Sequence, residues 1–156
     1  MIFVTVGTQF GFDRLIEWMD EWAASSNTDV FAQIGEGSFQ PRHISWTRDI
    51  PAADFSDYVQ RAEKVVSHAG MGTIISSLLT NKPIIIVPRM ASLGEHRNDH
   101  QLATAMRFSN MPGIRVAHDK TMLFEHLSSA HHENGYDSSG NLLKLIQELT
   151  KFIEKP

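Results

Sequence analysis

The chain has 156 residues, 42% of them apolar, with a formal net charge of −4 and a sequence pI of about 6.0. That length builds one core and leaves no room for two ordinary domains, and the slightly acidic balance lacks the basic excess of a nucleic-acid surface. With no cysteine in the sequence, disulfides, cysteine-based zinc sites and thiol nucleophiles are excluded, as fits a reducing compartment.

The first residues, "MIFVTVGTQ", carry a short apolar run with no basic stretch before it and no small-residue cleavage site after it. They read as a strand over Ile2 to Val6, not as a signal peptide. Phe12, Leu15, Ile16 and Met19 then recur at the spacing of one helical face, with Asp13 and Glu17 suited to its positive end. Strands are expected over Val30 to Ile34 and His43 to Trp46. A helix over Ala52 to Ala62 follows Pro51 and carries Phe55 and Val59 on one face. Val65 to Ser67 reads as a strand, and a helix from about Gly72 to Leu79 stops at Asn81 and Pro83. "IIIV" over Ile84 to Val87 is short, continuous and β-branched, as in a strand buried on both faces.

A polar stretch, "RMASLGEHRNDHQ", leads into a helix around Asp99 to Ser109 with Leu102, Ala103, Ala105 and Met106 expected inward. After it come a strand over Ile114 to Ala117 and a helix over Lys120 to Ser129. Residues 131–141 have a linker's composition, and residues 142–156 an amphipathic stripe expected to pack on the domain or on a partner, a second copy included. No segment reaches the roughly 18 apolar residues of a membrane span. Strands alternating with helices predict an α/β domain over residues 1–130, a Rossmann-like parallel sheet with helices on both faces.

In such a sheet ligands sit beyond the carboxyl ends of the strands. Three junctions there have unusual composition: "GTQFG", "HAGMGT" and "RMASLGEHRNDHQ". Glycines that admit a close approach, and helix-start amides aligned with the dipole, suit a phosphate or diphosphate; a bare tight turn is the competing reading. "GMGTII" lacks the third glycine of the dinucleotide pattern, and neither a P-loop nor a G-x-S-x-G elbow occurs. Within "GEHRNDHQ", His96 and His100 stand four apart and, with Glu95 or Asp99, could ligate a divalent metal. The alternative is a helix start capped by Asn98 or Asp99 whose polar residues bind ligand hydroxyls.

"IFVTVGTQFGFDRLI", "VVSHAGMGTIISSLLTNKPIIIVPR" and "GEHRNDHQLATAM" together resemble the C-terminal, nucleotide-sugar-binding domain of glycosyltransferase family 28. The likeness is to its small free-standing PssE-like forms and to the soluble subunit of the two-part dolichol-pathway N-acetylglucosamine transferase, and it runs from Met1 to about Ser109. It implies the donor-binding half of a GT-B enzyme, inverting, using a UDP-sugar as donor substrate and requiring no metal or other cofactor. By that resemblance His68, Ala69, Gly70, Met71, Gly72 and Thr73 face the donor diphosphate, Gly7, Thr8 and Gln9 line the same cleft, and Asp99, His100 and Gln101 hold the donor sugar. Arg89 or Arg97 would assist as a cation. One departure stands out: where related full-length enzymes carry a ribose-gripping glutamate, this chain has Ser76, with Glu95 as a substitute.

A GT-B site lies between two domains, so the resemblance also implies a membrane-anchored, PssD-like partner that brings a lipid-linked glycan. This chain is then expected to be cytoplasmic, held at the inner face of the plasma membrane. The expected activity is transfer of a sugar to an undecaprenyl-diphosphate-linked acceptor in exopolysaccharide or capsule synthesis. His68 and Glu95 are the candidate bases within the chain, although many relatives place the base on the acceptor side, and His68 can equally serve as a loop brace. Two other readings stay open: a non-catalytic nucleotide-sugar-binding module that stabilises a membrane partner, and a metal-dependent hydrolase built on His96, Asp99 and His100.

Overall fold

The computed structural model describes residues 1–129 together with Leu143, Gln147 and Lys151. Six parallel strands, β1 (Ile2–Thr5), β2 (Val30–Gln33), β3 (Ser45–Thr47), β4 (Lys64–His68), β5 (Ile84–Val87) and β6 (Ile114–Val116), form one sheet in the order β3-β2-β1-β4-β5-β6. Between and after them run α1 (Asp13–Ala24), α2 (Ala52–Arg61), α3 (Met71–Leu79), α4 (His100–Phe108) and α5 (Lys120–Ser128). The expected Rossmann-like architecture is therefore the observed one. The strand order reverses between β1 and β4, where Val4 pairs with Ala32 on one side and Val66 on the other. A ligand crevice opens at such a reversal because the adjoining connections leave for opposite faces of the sheet.

Each central strand feeds two cores, which is why its apolar run is continuous and not alternating. Val4, Val66, Ile85 and Val87 pack with Leu15, Ile16 and Met19 of α1 and with Leu123 and Leu127 of α5. On the other face Phe3, Val65, Ile84 and Ile86 meet Val59 of α2, Ile74 of α3, and Ala105 and Phe108 of α4. Beneath α2 the Phe31 and Tyr58 rings stack at 4.9 Å, with Phe3 5.5 Å from Tyr58 and edge-on to Phe55 at 5.7 Å. That aromatic cluster fixes where α2 begins relative to the sheet, which later matters for Phe55.

Polar groups tie down the connections. Asp20 on α1 accepts from the Arg42 and His43 amides at 2.9 and 2.6 Å, holding the segment before β3. Lys64 at the start of β4 donates to the His126 and Leu127 carbonyls, supplying a cation to the negative end of α5. The expected stop of α3 takes the form of a Schellman motif: Asn81 adopts φ 56°, Asn81 N donates to Leu78 O and Lys82 N to Ser77 O. Pro83 then prevents the helix from continuing.

Two expectations need correcting. The third strand lies at Ser45–Thr47, not from His43, because the His43 backbone is committed to Asp20. On α4 the inward residues are Gln101, Thr104, Ala105 and Phe108, whereas Ala103 is exposed and Met106 is 72% exposed. The helix is phased by Phe108 in the core and by Gln101 beneath the loops, a polar side chain turned inward by the hydrogen bonds it makes. The expected linker at 131–141 and helix at 142–156 lie outside the described residues, apart from Leu143, Gln147 and Lys151, which are helical and exposed.

Candidate functional site

At the carboxyl edge of the sheet a cleft of about 610 Å³ opens over the reversal between β1 and β4. It is lined by the β1 loop at Gly7, Thr8 and Gln9, by His68 and Gly70 after β4, and by Met71, Gly72, Thr73 and Ser76 of α3. Arg89, His96 and Gln101 line it from the β5 side. Twelve of the residues expected at a donor site are thus brought together here.

The amino end of α3 faces this space without a side-chain cap, since Gly70 occupies the cap position. The first amides of a helix have no partner within it, so Met71, Gly72 and Thr73 offer N–H groups together with the positive end of the dipole. A Cβ at Gly72 would meet no atom within 4 Å. Space above these amides is therefore open. Gly70 plays a different part from the expected one: a Cβ there would strike His68 Nε2, and a Cβ at Gly7 would come within 2.6 Å of His68 Cε1. Gly7 also holds φ +77°, a conformation costly for any other residue. Gly7 and Gly70 make room for the imidazole, whereas Gly72 borders open space.

His68 is consequently a wedge between the β1 and β4 loops. Burial, aided by the nearby Arg89 charge, pushes its pKa down from 6.5 to about 4, so the ring is neutral at pH 7. Ser67 Oγ lies 3.3 Å from its Nδ1. Because the unfolded chain takes up this proton near 6.5 and the folded chain only near 4, stability is complete above pH 6.5 and falls as the pH drops through that window. The expected loss is ~2–3 kcal/mol. Denaturant midpoints measured from pH 7 to pH 4 should show it, and His68→Asn should flatten this part of the profile.

Beneath the β1 loop, Thr5 Oγ1 donates to Gln33 Oε1, Gly7 N donates to Thr5 Oγ1 at 3.2 Å, and Gln33 Nε2 donates to Gly7 O at 3.4 Å. Arg89, 2% exposed, braces the same loop by donating to Val6 O at 2.8 Å and Phe10 O at 2.7 Å. Burial brings its pKa down to about 10, which leaves it cationic at neutral pH. Its Nε is buried without a partner. Gln101 Oε1 accepts from both Ala69 N at 3.2 Å and Arg89 N at 3.0 Å, joining the ends of β4 and β5. Two N–H donors converge on that atom, so the oxygen assignment follows from the bonding.

Six expected site residues do not line the cleft. Ala69 is buried, and its amide is occupied by Gln101. Glu95 grips Arg14 at 2.6 and 2.8 Å, accepts from Met90 N, and faces a separate depression of about 440 Å³ beside Asp13, Glu17 and Glu36. Asp99 accepts from Ala91 N, Asn98 caps the His100 amide at 3.1 Å, and His100 is exposed. The i, i+4 alignment of His96 and His100 is absent because α4 begins only at His100, while the His96 ring packs edge-on against Phe10 at 5.8 Å. Among the described residues, no group of three or more His, Asp or Glu is placed to hold a metal ion. Arg97 is exposed and outside the cleft lining.

Sequence reasoning missed Thr5, Val6 and Gln33 below the β1 loop, and Ile50, Ala52 and Phe55, which line the cleft from the β3–α2 junction. That junction ends a parallel strand on the same edge, and this was the available signal; its apolar composition made it read as core. Of the described lining residues none is an aspartate or glutamate. A cleft with free amides, a buried cation and no carboxylate suits an anion with an apolar group attached.

Residues 1–133 match the family model described as glycosyltransferase family 28 C-terminal domain. A human protein named UDP-N-acetylglucosamine transferase subunit ALG13 is 31% identical over 115 residues, covering 67% of this chain and 10% of its own. The protein of that name from Candida albicans is 30% identical over 60 residues, 38% of this chain and 19% of its own. The chain thus spans only a tenth to a fifth of the length of these relatives. Among solved structures, the glycotransferase of kitacinnamycin matches with a TM-score of 0.63 at 21% identity over 96% of this chain and 39% of that one. Acinetobacter baumannii MurG matches at 0.54 and 16% identity over 94% and 49%. At these identities the structural likeness is one of fold.

Proposed function

Since the chain belongs to the glycosyltransferase family 28 C-terminal domain family, we propose that it is the donor-binding, catalytic subunit of a two-component inverting glycosyltransferase. On this reading it takes a sugar from a UDP-sugar and passes it to an undecaprenyl-diphosphate-linked glycan in exopolysaccharide or capsule synthesis. The observation that carries the proposal is the uncapped amino end of α3, opening into a cleft that no described carboxylate lines. Support comes from the human relative, whose name makes it a subunit of a transferase using UDP-N-acetylglucosamine. The acceptor is held by a membrane-anchored partner, which brings this chain to the inner face of the membrane. No helix among the described residues is itself long and apolar enough to cross one.

The chemistry follows from the donors and from the lack of a free base. An acceptor hydroxyl attacks the anomeric carbon from the face opposite the diphosphate, the bond from that carbon to the diphosphate oxygen breaks, and the configuration inverts. Negative charge grows on the departing oxygen, where the amides of Met71, Gly72 and Thr73 stabilise it without reorganising. The hydroxyl proton needs a base near neutral pKa. His68, with a pKa of about 4, and Glu95, ion-paired to Arg14, suit that task poorly. The partner supplies the base. Neither a resident metal nor another cofactor enters the scheme.

The commitment of both candidate bases also favours a second reading, a nucleotide-sugar-binding module that only stabilises its partner. A transfer assay on the assembled pair decides between them. Transfer by the assembled pair that is unaffected by Gly72→Asp, which sets a negative charge at the α3 amides, would rule out the catalytic-subunit reading. Failure of UDP to bind even with the partner present would rule out the donor site.

A further inference from the structure

The cleft is rich in hydrogen-bond donors and poor in acceptors. No described residue lining it is a carboxylate, and the acceptors at its floor are already engaged. Gln33 Oε1 takes the Thr5 hydroxyl, and Gln101 Oε1 takes two backbone amides. Ser76, one turn along α3 from the free amides, directs its hydroxyl proton to Gly72 O at 2.9 Å. Nearby carboxylates are committed elsewhere, Glu95 to Arg14 and Asp99 to Ala91 N. The side-chain acceptors left over include those of Thr8 and Gln9, neutral and exposed on the β1 loop. Donors remain at the start of α3, where the first amides have no side-chain cap.

Phosphoryl oxygens only accept hydrogen bonds, so this imbalance matches them. A ribose 2′-hydroxyl, by contrast, needs a fixed acceptor before its loss is felt. Sites built to bond a substrate hydroxyl reject the analogue lacking it by about 10⁴-fold, because buried polar groups are then left unpaired. The nearest acceptor, Ser76 Oγ, is reached by solvent, so water takes the place of a missing 2′-hydroxyl and little is lost.

We propose, resting on the nucleotide-diphosphate reading above, that the site does not read the ribose 2′-hydroxyl and accepts 2′-deoxyribonucleoside diphosphates as readily as ribonucleoside diphosphates. The nucleotide is held by its diphosphate at α3 and by its base against the apolar wall of Ile50, Ala52 and Phe55, with the ribose passing over Ser76.

Calorimetry on the full 156-residue chain with UDP and with 2′-deoxy-UDP tests this. The two Kd values should agree within about threefold. In Ser76→Glu, a carboxylate facing the ribose diol should create a preference for UDP of about fivefold or more. A preference of about tenfold or more for UDP in the unaltered chain would overturn the inference while leaving the donor site standing. An unchanged ratio in Ser76→Glu would overturn the placement of the ribose, and the inference with it. If neither nucleotide binds, the donor-site reading itself fails and carries this inference down with it.

Discussion

Gly70→Ala is expected to destabilise the chain by ~2–3 kcal/mol and to abolish donor binding. The added methyl would occupy the space of His68 Nε2, and a ring packed between two loops cannot step aside without moving one of them. Overpacking of this kind costs about 1–3 kcal/mol, and the displaced β4 loop would carry the start of α3 out of line. If the imidazole is the cause, Gly70→Ala combined with His68→Ala should recover most of the stability, so the two changes will be strongly non-additive. Denaturant melts of the two single variants and the double variant measure the coupling. Additive losses would mean that Gly70 is required by the turn itself and that His68 is no wedge.

Gln101→Leu is expected to cost ~2–5 kcal/mol, the second large effect. Leucine keeps the bulk but removes the oxygen that satisfies Ala69 N and Arg89 N, and each buried amide left without a partner costs about 1–3 kcal/mol. Gln101→Glu separates structure from function. A carboxylate can still accept both N–H bonds, so the fold should recover, but it also places a negative charge on a cleft lined by no described carboxylate. UDP affinity should then fall by at least tenfold, about 1.4 kcal/mol. Equal UDP binding by Gln101→Glu and the unaltered chain would show that the anion sits elsewhere.

The sheet and its helices were legible in the sequence because each element carries its own signal. Ile84–Val87 announces a doubly buried strand by having no polar alternation, and Leu15, Ile16 and Met19 set the phase of α1 unaided. What could not be read locally was settled by partners distant in sequence. Glu95 looked like a free carboxylate in a polar loop until Arg14, 81 residues away, took both its oxygens. The phase of α4 was misjudged because Gln101 turns inward toward two amides, a preference no apolar periodicity records. Phe55 and Ile50 were overlooked for the opposite reason, since apolar side chains that line a cleft resemble those that fill a core.

The glycine pair in "HAGMGT" shows the same division. The motif predicted a helix start directly after a strand, and α3 does follow β4 there, but both glycines were assigned to the ligand. The geometry gives Gly70 to His68 and only Gly72 to open space. That distinction makes Gly72 the position at which site and scaffold separate most cleanly.

The central claim, that a nucleotide diphosphate sits at the amino end of α3, is tested most directly by titrating UDP against the unaltered chain and Gly72→Asp. A Cβ at position 72 meets no atom within 4 Å, and a carboxylate in the first turn should leave the helix as stable or improve it by about 0.3–1 kcal/mol. The same charge would stand where the diphosphate is placed. The account predicts an unchanged or raised denaturation midpoint together with UDP affinity reduced by at least tenfold, about 1.4 kcal/mol. A folded Gly72→Asp that binds UDP as tightly as the unaltered chain would contradict it.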